Sequence, residues 1–145
     1  MSDDRKALDN AIEAENAAIF TYGVTTAFIG TAERVTVGQY VAAHRVRRDE
    51  LNADVTAAGG TPPQSAAGYR LPVDVTDATS AATVLLDAEQ ECARAYRALL
   101  EQAGKTELRR RGVDGLTASA GYAAHWRGVL GQSPVTVPFP GTPGT

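Results

Sequence analysis

The sequence predicts an all-α fold, a four-helix bundle with a long crossover between helices 2 and 3. Two observations lead to it. Four segments carry apolar residues at helical spacing, and the links within the first and second pairs are short. Between the pairs lies a stretch of seventeen residues, Gly59 to Val75, marked by glycine and proline.

The first helix is expected over about 4–30. Leu8, Ala11, Ile12, Glu15, Ile19, Tyr22, Thr26 and Ile29 fall at steps of three or four. The second is expected over about 35–58, with Val37, Tyr40, Val41, His44, Arg48, Leu51 and Val55 on one face. Gly59-Gly60 and Pro62-Pro63 stop it. The third, about 77–103, opens on "TDATS", which offers several N-cap side chains. Ala81, Val84, Ala88, Glu91, Ala95 and Leu99 follow on its stripe. The fourth, about 106–130, contains Gly112 and Gly115 as weak points and stops at Gly131. The proline-rich remainder, 131–145, is extended. The whole chain, 1–145, is read as one domain.

Each helix is about 25 residues, or roughly 37 Å at 1.5 Å per residue. Short links make helices 1–2 and 3–4 antiparallel hairpins. Seventeen extended residues can span up to about 56 Å, enough to travel the bundle and set helix 3 parallel to helix 2.

Composition narrows the function classes. The 145 residues are 43% hydrophobic, with aromatics only 6%, so the helices must pack through Ala, Val, Leu and Ile. The net charge of −3 argues against a nucleic-acid binder, despite arginines at 45, 47, 48 and at 109–111, which read as solvated faces. A single cysteine, Cys92, excludes an internal disulfide and reads as a buried structural thiol. No apolar run is long enough to span a bilayer, and "MSDDRKALDN" carries no secretory signal pattern. The expectation is a cytoplasmic protein without membrane or nucleic-acid partners. P-loop, dinucleotide and G-x-S-x-G motifs are absent, and no electropositive setting is visible for a Cys92 thiolate.

Polar residues interrupt the apolar stripes. Glu15 and Glu91 lie on the stripes of helices 1 and 3, and a carboxylate in a core needs a metal, a cation or a donor. The two histidines of the chain stand in matching frames, "VAAH" ending at His44 and "YAAH" ending at His125. Each hairpin thus offers a Glu and then a His. Metal-binding bundles use this order, with Glu-x-x-His on the second helix of each pair. Glu13 is a weaker alternative to Glu15. Asp49, Glu50, Asp87 and Glu89 fall off the stripes and read as solvated. Trp126 reads as packing.

"AIEAENAAIFTYG" resembles the opening helix of ferritin-like proteins. "HRVRRDEL", the "AGG-PP" stop, "AGYRLP" and "FPG" are similar to a bacterial ferritin-like domain family of unknown function, over nearly the whole chain. The resemblance implies a ferritin-like fold, and di-iron chemistry only where the six ligands match. Here Val41 and Tyr122 stand where glutamates would precede His44 and His125. With the turn centred near 31 or 32, the residue level with Glu15 is Arg48, four positions beyond His44 and a natural partner for carboxylates without metal.

The expected reading is therefore a metal-free or metal-poor structural or interaction protein, a homodimer of unknown partner, with no cofactor. Its degenerate di-iron site would be a buried network of Glu15, His44, Arg48, Glu91, Tyr122 and His125. Arg47, by contrast, is expected on the solvated side. The alternative is an iron- or manganese-binding, oxidase-type protein with Glu15, His44, Glu91 and His125 as ligands.

Overall fold

The structure is a computed structural model that describes residues 2–143. Four helices, and no strand among the described residues, make up the fold: α1 (Asp3–Thr25), α2 (Arg34–Ala57), α3 (Ala78–Gln102) and α4 (Thr106–Val129).

The ends of α1 follow from local chemistry. The Ser2 hydroxyl accepts a hydrogen bond from the Arg5 amide, and Asp3 and Asp4 lie in the first turn, where the helix dipole favours acids. At the other end the expected run to residue 30 stops at Thr25. Thr21, Thr25 and Thr26 each donate to a carbonyl one turn back. Such back-bonding competes with the regular ladder. Two short 3₁₀ turns, Thr26–Phe28 and Thr31–Glu33, complete the corner, and extended Ile29 plugs it, 7% exposed.

Helix α2 ends where its glycines require. Gly59 takes φ +85°, and the Gly59 and Gly60 amides turn back to the carbonyls of Thr56 and Val55. Helix α3 starts at a capping box, Asp77 accepting from the Ser80 amide while the Ser80 hydroxyl accepts from the Asp77 amide. Gly112 and Gly115 do not interrupt α4. They are where α3 comes closest, against the Leu100 backbone and the Tyr96 ring.

Long-range contacts give the directions. Arg5 near the start of α1 reaches the Thr61 carbonyl beyond the end of α2, and Asp4 accepts from the Gly104 amide beyond the end of α3. Both helices therefore run antiparallel to α1 and parallel to each other, as a long crossover demands. Helix α4 returns antiparallel, with Arg111 on Asp54 and Glu50 near one end of α2 and His125 on Glu33 near the other. The crossover lies on the bundle, Tyr69 against Phe20 with ring centroids 5.6 Å apart.

Two apolar clusters fill the interior. One gathers Leu8, Ile12, Leu51, Val55, Tyr96 and Leu99; the other Tyr22, Val37, Leu85, Ala123 and Trp126. Each of the first three helices buries one carboxylate or imidazole completely near mid-bundle: Glu15, His44 and Glu89.

A buried glutamate–histidine–glutamate bridge

His44 sits midway along α2 on the stripe Val37, His44, Leu51, Val55, which faces α1 and α3. Its Nδ1 lies 2.9 Å from Glu15 Oε1, and its Nε2 lies 2.7 Å from Glu89 Oε2. A carboxylate only accepts, so both ring nitrogens must carry protons to satisfy both bonds. Burial pulls the imidazole toward neutrality, but the two glutamates, Glu89 foremost, outweigh it and raise its pKa to about 9. At pH 7 His44 is a cation held at both ends.

Each carboxylate has further company. Tyr22 donates to Glu89 Oε2 at 2.6 Å, and the Trp126 indole donates to the Tyr22 hydroxyl at 2.9 Å. The Tyr22 phenol is pushed well above its ordinary pKa, by burial first and then by Glu89. Cys92 Sγ lies 3.4 Å from Glu15 Oε1. Burial, and then Glu15 and Glu89, push its thiol well above the usual range, so it stays protonated. Arg47 Nε approaches Glu15 Oε2 at 3.7 Å, and its guanidinium lies 5.5 Å from the centre of the Tyr122 ring. Burial opposes its charge, but Glu15 dominates and raises its pKa. Two carboxylates, one imidazolium and one guanidinium sum to zero, which makes the burial of four charges tolerable.

The structure brings together some of the residues expected here and separates others. Glu15 and His44 meet directly. Tyr122 borders them: its ring stacks on Tyr40 with centroids 3.7 Å apart and lies 5.9 Å from the His44 ring. Glu91 is not in the site. It lies on the outer face of α3 and pairs with Arg94, its side chain 55% exposed. His125 is not in it either; its Nε2 turns outward to Glu33 at 2.7 Å. Arg48 pairs with exposed Asp49, and it is Arg47, expected in solvent, that reaches Glu15. Glu13, Asp87, Asp49 and Glu50 are all at least partly exposed.

Glu89 was expected in solvent and is fully buried. The signal for it was the stripe Leu85, Glu89, Cys92, Tyr96, Leu99, which carries larger side chains than the alanine stripe through Glu91. Arg47 left no such signal. It flanks the α2 stripe, and only its long stem brings the guanidinium inward.

A ferritin-like di-iron centre requires a Glu from each of two helices and Glu-x-x-His from each of the other two. This chain supplies the two glutamates, with Val41 and Tyr122 at the other carboxylate positions and one imidazole turned away. Arg47 adds positive charge. The donor set does not fit two iron ions. A smaller grouping exists: ligand atoms of Glu15, His44 and Cys92 lie within 4.8 Å of one another.

Four helices, the long crossover and a polar layer at mid-bundle define a ferritin-like protein. The family described as Domain of unknown function (DUF4439) matches residues 7–144, and the chain belongs to it. The crystal structure of a conserved hypothetical protein, rv2844, from Mycobacterium tuberculosis is similar over 95% of this chain and 97% of its own, at 37% identity and a TM-score of 0.86. That of ferritin-like, diiron-carboxylate proteins from Bacillus anthracis str. Ames is similar in fold, at 18% identity and a TM-score of 0.73, over 90% of this chain and 99% of its own. No curated protein matches the chain. Among the described residues, no helix is long and apolar enough to cross a membrane.

Proposed function

We propose that this is a ferritin-like protein that works without a metal centre, as a structural or interaction protein. The Glu15–His44–Glu89 bridge, with Arg47, takes over the work of the di-iron site. The observation that carries this is the double engagement of the His44 ring: a protonated imidazole has no lone pair to offer a metal. In this reading the buried charges hold α1, α2 and α3 in register, and function resides on the outer surfaces. Those surfaces include exposed Val35 and Val46 on α2 and Val113 and Val129 on α4. Self-association as a cytoplasmic homodimer is part of the proposal, and sedimentation velocity tests it: a single species at monomer mass across micromolar concentrations would remove that part.

The test of the main reading is an iron titration. Protein purified without chelator and offered ferrous iron should bind less than one tight equivalent and show no rapid ferroxidase activity. Two tight irons per chain would overturn it.

A second reading has one observation in its favour, the proximity of Glu15, His44 and Cys92. In it these three hold a single divalent ion, iron or manganese. Binding would then release protons from His44 and Cys92, and affinity would rise steeply with pH. Cys92→Ser would abolish it.

A further inference from the structure

Away from the buried charges, the C-terminal segment forms a strap across α3 and α4. It is fastened at two places. Arg127 Nη1 donates to the Val135 carbonyl at 3.0 Å, and Arg97 Nη1 donates to the Pro140 carbonyl at 3.3 Å and the Thr142 hydroxyl at 3.1 Å. The strap lies tight on α3 at Gly141, whose φ is +78°. A Cβ there would come within 2.5 Å of the Ala93 carbonyl oxygen. That position needs glycine twice over, for its backbone angle and for the close approach.

Between the fastenings, Thr136, Val137 and Pro140 of the strap face α3 and α4 across a cavity. Ala93 of α3 and Ala120 and Ala124 of α4 are too short to fill the space under Val137 and Pro140, which leaves a cavity of about 140 Å³. This is close to the size, about 150 Å³, at which a cavity lined by apolar side chains takes up benzene.

Three residues with polar side chains line this cavity, Gln90, Arg127 and Thr136, and only Arg127 carries a charge. Arg127 is only 7% exposed. Among the described residues its guanidinium makes one hydrogen bond, to the Val135 carbonyl, and pairs with no carboxylate. The other strongly buried cations here, His44 and Arg47, each face a carboxylate. The C-terminal end of α4 offsets part of the Arg127 charge, but a dipole does not use the planar fork of donors. That fork matches a carboxylate, bidentately.

We propose that this cavity is a binding site for a small aromatic monocarboxylate, its ring among the alanines and its carboxylate on Arg127. Nothing in this depends on the metal-free reading of the bundle centre. Benzoate is the probe, titrated into the full chain and followed by calorimetry and by amide shifts. Saturable binding is expected, with shifts confined to α3, α4 and the strap. Benzyl alcohol, which has the ring without the charge, should bind at least about tenfold more weakly. Arg127→Gln should weaken benzoate by a similar factor. Ala124→Leu fills the cavity from a half-buried position without touching either fastening, and should abolish binding with helicity unchanged. The proposal is overturned if benzoate shows no saturation at millimolar concentration. It is equally overturned if benzyl alcohol binds as tightly, or if folded Ala124→Leu binds as the parent does.

Discussion

His44 owes its charge to two neighbours, and that has a consequence for stability. Its pKa rises from an ordinary 6.5 to about 9 on folding. A raised pKa means stability that is fully present below pH 6.5 and lost as pH climbs through about 9. The shift corresponds to about 3 kcal/mol. Cys92 and Tyr22, both pushed well above their ordinary values, stay protonated in the folded chain across that window, so the unfolded Cys92 thiol, which ionises from about pH 8.5, adds to the loss at the alkaline end. Urea unfolding at pH 6 and pH 9.5 should therefore show a loss of that order. Glu89→Gln, which removes the foremost charge holding the proton, should move the loss to lower pH. A profile flat from pH 6 to about 8, falling only where the Cys92 thiol ionises, would mean that His44 is neutral in the folded chain. The two arginines give a second contrast. Arg47→Leu takes the second cation from Glu15, leaving only His44 on its other oxygen, and should cost about 2–3 kcal/mol, at or below the lower end for a broken buried pair because His44 remains. Arg48→Ala, at the surface, should cost under about 1 kcal/mol. Thermal or chemical denaturation of the two variants decides it, and equal losses would contradict the placement of Arg47 at Glu15.

Helix α4 tests how closely the elements pack. Gly112 faces the α3 backbone, and a Cβ there would sit 2.7 Å from the Leu100 amide nitrogen. A main-chain atom cannot swing aside, so Gly112→Ala should force the helices apart and cost about 1–3 kcal/mol, despite alanine's higher helix propensity. Gly38 in α2 has nothing within 4 Å of the corresponding position. Gly38→Ala should stabilise by about 0.5–1 kcal/mol. Melting temperatures moving in the same direction would contradict the close approach of α3 and α4. Most of this architecture was legible. The helices, the glycine stops and the crossover follow from spacing, because apolar periodicity and backbone freedom are local properties. What was not legible is which of two adjacent stripes turns inward on α3. Alanine on the stripe through Glu91 gave a misleading match, while Leu85, Cys92 and Tyr96 on the other stripe bury more surface. That choice moved the second carboxylate by two residues, from Glu91 to Glu89. The turn of His125 toward Glu33 depends on a corner 92 positions away, beyond the reach of helical periodicity.

At the scale of the molecule, two apolar clusters flank one polar layer, and that layer contains three helices' worth of ionic contact in place of ligands for metal. Removing one member should be far worse than removing all. His44→Leu alone leaves two buried carboxylates without their shared cation, a loss of about 3–5 kcal/mol. Replacing Glu15, His44 and Glu89 together by apolar residues of similar volume should recover most of that loss. The central claim is that His44 is a cation bonded through both ring nitrogens. The nitrogen NMR spectrum of the ring reads this directly. In the folded chain at pH 7, with no metal added, both nitrogens of one histidine should appear protonated, and that state should persist until the pH approaches 9. Two neutral histidines at pH 7, or a His44 nitrogen that gives up its proton when one equivalent of ferrous iron is added, would contradict it.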